Sequence, residues 1–232
     1  MFHHFHGGQH QPTQGSISVK DLDAILQFLD VQQFLTPTEW LEKLDGDRLG
    51  PTDLCLTFDD GLKDHYLVAE LLHKAKLKAT FLIPTLAIRD RKAAKVHKIQ
   101  FILAAISEKK VVENIFDLMG SEARERDALW NTFSVSRHPN NWWSKEMVFV
   151  TSFLRHHAAG DMITDKLFVK FVTQDEKDFC SDFYLTSAEV GYMAKCGMII
   201  GGHGYHSTDL AGLKSQEEDV KKSLLYAASF SA

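Results

Sequence analysis

Apolar positions along this chain fall into two rhythms. Leu54-Cys-Leu-Thr-Phe58 and Ala79-Thr-Phe-Leu-Ile83 are short runs rich in strand formers, and each stops at a breaker: Asp59-Asp60-Gly61 after the first, Pro84 after the second. Between them Leu67, Val68, Leu71 and Leu72 recur at helical spacing. A strand, a helix and a strand so closely joined predict a parallel unit in an α/β fold. Reactive residues of such folds gather at the carboxyl ends of strands, where Asp59 and Asp60 fall. A third short strand, Met198-Ile-Ile200, runs into Gly201-Gly-His-Gly-Tyr-His206.

The remaining pattern is mostly helical. Met1 to His6 reads as an opening strand, with Phe2, His4 and His6 on one face and His3 and Phe5 on the other. Ser18 and Asp21 form a capping pair ahead of Leu22, Ile25, Leu26 and Leu29, and Thr36, Pro37 and Glu39 open a second helix. From about Arg89 to Leu185 the rhythm gives helical segments near 96–105, 111–119, 122–132, 142–155 and 164–171, an insertion without strands. Trp142, Trp143, Phe149 and Phe153 within it read as core, because aromatic residues at helical spacing usually pack inward. Thr186 or Ser187 caps a helix ended by Gly197, and Ser215 with Glu218 opens the last one.

Composition narrows the partners. A net charge of -5 argues against nucleic acid or an anionic membrane surface, since both reward concentrated positive charge. Cys55, Cys180 and Cys196 lack paired zinc spacing and leave an odd count, which favours reduced, largely buried thiols in a reducing compartment. Neither a signal-peptide pattern nor a membrane span is evident, so the expected location is the cytoplasm.

Two adjacent carboxylates repel, and a cation or hydrogen bonds must hold both ionised. Asp59, Asp60, His203 and His206 offer a base and three ligands from two strand ends, a donor set that suits zinc or a related divalent ion and leaves room for water. An Asp-Asp-Gly turn or a His-x-x-His alone is equally well a solvated loop. Their shared position after strands favours a site.

Leu56-Thr-Phe-Asp-Asp-Gly61, Ala79-Thr-Phe-Leu-Ile-Pro84, Leu185-Thr186, Met193 to Gly197, Ile200-Gly-Gly-His203 and Asp209-Leu210 together resemble the polysaccharide deacetylase family, carbohydrate esterase family four. Met1-Phe-His-His-Phe5 is similar to the first strand of cytoplasmic members tied to surface-polysaccharide synthesis. The resemblance covers about the first 85 and last 50 residues. It implies one catalytic domain over 1–232, a distorted (β/α) barrel carrying a helical insertion at about 89–185, and metal-dependent removal of an N-acetyl group from a saccharide or nucleotide sugar. By motif position Asp59 is the general base and Asp60 and His203 are metal ligands. The family's second histidine would fall on Ser207, so His206 is the expected substitute. The family's Arg-x-Pro and Leu-x-x-His stretches would lie beyond Ala232, which makes the barrel incomplete over this chain and leaves Asp59 or an N-terminal histidine, His4 or His6, to meet the leaving amine. The alternatives are an impaired member that binds metal or sugar without turnover, and a partner-binding scaffold.

Overall fold

A computed structural model describes residues 1–7, 16–120, 123–135, 143–206 and 215–230. The chain is an α/β protein, mostly helical, built on small parallel sheets. Its first unit, Met1–Lys92 with Lys177–Ala232, carries the sheets, and Ala93–Glu176 forms a second, helical unit.

In the first unit, β3 (Leu56–Phe58), β4 (Ala79–Ile83) and β5 (Ile199–Gly202) form a parallel sheet with β4 in the centre. Phe58 pairs with Phe81, and Phe81 with Ile200, so the strands end side by side. Phe2 adds a parallel bridge on the outer side of β3 through two hydrogen bonds: its N–H donates to Thr57 O (2.9 Å), and its carbonyl accepts from Asp59 N–H (3.0 Å). β1 (Phe5–His6) then pairs with β2 (Ile17–Ser18) in a separate two-stranded sheet. Among the described residues these sheets stay open, and no closed barrel forms.

Sequence-coded caps hold the helices around the sheet. α1 (Val19–Phe28) and α2 (Pro37–Asp45) begin with the full capping boxes of Ser18 with Asp21 and Thr36 with Glu39. α3 (His65–Lys74) connects β3 to β4, and α4 (Thr85–Arg89) follows β4 directly. The buried stripe of α3 is His65, Val68, Ala69 and Leu72, whereas Leu67 is exposed, so the stripe is rotated from the expected Leu67-Val68-Leu71-Leu72. The rotation puts His65 under the sheet, edge-on to Phe5 and Phe58 with ring centroids 5.7 and 5.9 Å away.

α5 (Lys95–Ala105), α6 (Glu108–Met119), α7 (Ala123–Phe133), α8 (Lys145–His156) and α9 (Gly160–Phe171) compose the helical unit. Phe149 and Phe153 are fully buried in it, as expected of core residues, whereas Trp143 is exposed and does not join that core, and Trp142 lies outside the described residues. Its two ends are clasped: Glu176 accepts from the Ala93 N–H (2.8 Å) and from Lys98 (2.8 Å), which also meets Asp165 (2.7 Å). Burial disfavours the Lys98 charge, but its two carboxylate partners outweigh that and raise its pKa.

Back in the first unit, α10 (Glu176–Phe183) leads to α11 (Ser187–Lys195), capped by Thr186 with Glu189, and α12 (Gln216–Ala228) follows β5. Ser215 occupies the N-cap of α12 without the expected side-chain cap. All three cysteines are free thiols, and no described helix is long and apolar enough to cross a membrane.

The turn after β3 is the tightest point of the sheet unit. Asp60 (φ 76°) and Gly61 (φ 57°) are both left-handed, and a Cβ on Gly61 would lie 3.0 Å from Ile88 Cδ1 and 3.2 Å from Pro84 Cδ. Gly61→Ala should therefore cost about 1–3 kcal/mol of stability. Urea denaturation measures this, and an unchanged midpoint would mean the turn relaxes freely.

Candidate active site

Register alone brings three side chains to one edge. Asp59 and Asp60 leave the end of β3, and His203 leaves the end of β5 with its N–H donating to Ile83 O on β4 (2.9 Å). Across that end, His203 Nε2 stands 3.4 Å from Asp60 Oδ1. Two donor atoms each about 2.1 Å from one tetrahedral ion lie roughly 3.4 Å apart, so this pair has a spacing that a single divalent ion can bridge. A ring nitrogen of His4 lies within 4.8 Å of an Asp60 oxygen as well. Asp60 and His4 are donors that could hold a metal ion, and His203 meets Asp60 as a pair. The Asp60 hydrogen bond, opposed by burial, raises the pKa of His203.

Asp59 is buried beside Asp60, at 5 and 7% exposure. Its Oδ1 has no hydrogen-bond partner, while Oδ2 lies 3.5 Å from Nε2 of the half-exposed His3. A buried carboxylate oxygen without a donor carries a desolvation cost unless something polar reaches it. Water, a cation or a substrate hydrogen satisfies that requirement.

His3 was not among the expected site residues, because strict alternation assigns it to the face opposite His4. The chain breaks the alternation by changing partners. Phe2 pairs with β3, whereas Phe5–His6 pairs with β2, and His3 and His4 lie at the crossover. Phe2 and Phe5 consequently both pack on Phe58, at 5.4 and 6.0 Å between ring centroids. His6 is engaged elsewhere, with Nδ1 2.9 Å from Ser16 Oγ. Nothing in the local sequence marks such a crossover.

His206 is held by α12. Asp219, buried in the first turn of that helix, accepts from the Tyr205 N–H (2.9 Å) and the His206 N–H (3.1 Å), and its Oδ1 lies 2.6 Å from His206 Nδ1. Burial raises the Asp219 pKa, but these bonds outweigh it and leave it below the usual carboxylate range. Among the described residues neither His203 nor His206 joins Asp60 in a group of three donor atoms all within 4.8 Å of one another. Ser207, Asp209 and Leu210 lie outside the described residues.

Beneath the site, His65 Nε2 hydrogen-bonds to the His3 carbonyl (2.7 Å), while its Nδ1 is buried without a partner. This is the signal the sequence did contain, since His65 begins the i, i+3, i+4, i+7 series that α3 buries.

The chain matches no protein-family model, no curated protein and no solved structure.

Burial pushes the pKa of His65 down to about 4 from 6.5. Between those values the unfolded chain carries a proton on this ring that the folded protein lacks, so stability falls as pH drops through the window, by up to about 3 kcal/mol. Denaturation at pH 7, 5.5 and 4.5 should reveal this slope. His65→Leu should flatten it, and an unaltered slope would assign the effect to other groups.

Proposed function

We propose that this chain is a metal-dependent hydrolase that removes an N-acetyl group from a saccharide or nucleotide sugar. The observation that carries this reading is the junction of Asp60 with His203, 3.4 Å apart across two strand ends, beside a buried Asp59 whose Oδ1 lacks a donor. The motif resemblance to polysaccharide deacetylases supports the same chemistry, with the open parallel sheet as part of a distorted (β/α) barrel.

Asp60 and His203 are the protein ligands in this reading. His206 would be the third only after moving toward Asp60 from the position described, offering Nε2 because Asp219 holds Nδ1; a carboxylate of this kind fixes the ring and its tautomer. When bound, a divalent ion, with zinc favoured by carboxylate and imidazole donors, would supply Lewis acidity toward water and the acetamide carbonyl. Asp59 takes the proton of the attacking water. Its position one residue from a ligand keeps base and nucleophile within reach, and its buried setting excludes competing solvent. His4, expected as a substrate contact, has a ring nitrogen within 4.8 Å of an Asp60 oxygen and would serve in this reading as a further metal donor. The cytoplasm remains the expected compartment.

Asp59→Asn should abolish amine release from N-acetylated sugars supplied with zinc, a loss of about 100-fold or more, while elemental analysis still finds bound metal. His203→Ala should lose the metal itself. Undiminished amine release in Asp59→Asn would remove Asp59 as the base, and stoichiometric metal in His203→Ala would remove His203 as a ligand.

A further inference from the structure

The geometry points to His3 as the acid that protonates the leaving amine, an inference that rests on the hydrolase reading above. Amide cleavage needs two proton transfers. A base takes a proton as water attacks, and an acid gives one to nitrogen as the C–N bond breaks, because an unprotonated amine anion is too poor a leaving group. Both groups must reach the same tetrahedral centre, so they must be neighbours. His3 meets Asp59 directly, its Nε2 3.5 Å from Oδ2. His4 stands by Asp60, and His6 is held by Ser16.

The backbone around His3 is fixed rather than loose. Phe2 is tied to β3 at both its N–H and its carbonyl, and the His3 carbonyl is tied to the buried ring of His65. Only the His3 side chain is left open to solvent, 44% exposed and facing a buried base, as a group that must meet incoming substrate requires. This ring is therefore presented by three hydrogen bonds that leave both of its nitrogens uncommitted to main chain.

The proton balance closes within the pair. Water oxygen forms the new bond to the acetyl carbon, and the water proton passes to Asp59. The C–N bond then breaks, its electron pair stays on nitrogen, and nitrogen takes the proton from His3 Nε2. The products are acetic acid's carboxylate and the free amine after proton equilibration with solvent. Asp59 then returns its proton to His3 across the 3.5 Å contact, which resets both groups.

A leaving-group comparison tests this. Wild type and His3→Gln, both tagged at the C-terminus and loaded with zinc, are assayed on N-acetylglucosamine oligomers and on 4-nitrophenyl acetate, whose phenolate departs without a proton. The expected result is a fall in amide kcat of about 100-fold or more with ester hydrolysis within about twofold of wild type, at equal metal content and melting temperature. A His3→Ala variant should behave alike. Amide hydrolysis retained within about twofold, or equal losses on amide and ester, would overturn the assignment of His3 while leaving the hydrolase reading standing. Absence of amine release by zinc-loaded wild type would instead overturn that reading, and this inference with it.

Discussion

Two main-chain hydrogen bonds at Phe2 govern the site. They add the N-terminal segment to the outer side of β3, one residue before Asp59, and so deliver consecutive histidines to consecutive aspartates. The apolar layer below supports the same arrangement. Phe5, Phe58 and Phe81 surround the buried ring of His65, with Phe2 stacked on Phe58, and the one hydrogen bond of His65 reaches back up to His3. Burying a ring with one nitrogen unsatisfied is costly, so its retention there fits a role in holding the segment above it.

The sheet-forming parts of the chain were legible because their causes are local. Ala79 to Ile83 is a continuous apolar run closed by proline, and the caps at Ser18, Thr36 and Thr186 are short-range hydrogen-bond patterns that a sequence states directly. The meeting of Asp60 and His203 followed from strand order. What was not legible depends on partner choice. A period-two reading of Met1 to His6 assumes one neighbouring strand throughout, and this segment has two. The α3 stripe is rotated for a related reason: histidine counts as polar in a helical pattern, whereas an aromatic environment accepts its neutral ring. His206 shows a third limit, because its carboxylate partner lies thirteen residues away on α12.

The helical unit follows a different economy of interactions. Its stability rests on stacked rings, Phe149 on Phe153 and Phe153 on His157 along one face of α8, and on Lys98 and Glu176 closing the unit where the chain enters and leaves. A lysine buried to this extent is tolerated only because two carboxylates face it. Chain ends held this near each other are a property of segments that can be gained or exchanged between proteins as a block.

The left-handed Asp60 carries a consequence for how this chain can change. A non-glycine residue at φ 76° is held against its own preference, so glycine there would relax the backbone and lose the carboxylate at once. Selection for heat tolerance alone and selection for chemistry alone would therefore pull position 60 in opposite directions. A lineage that retains aspartate under both pressures records which of them has mattered.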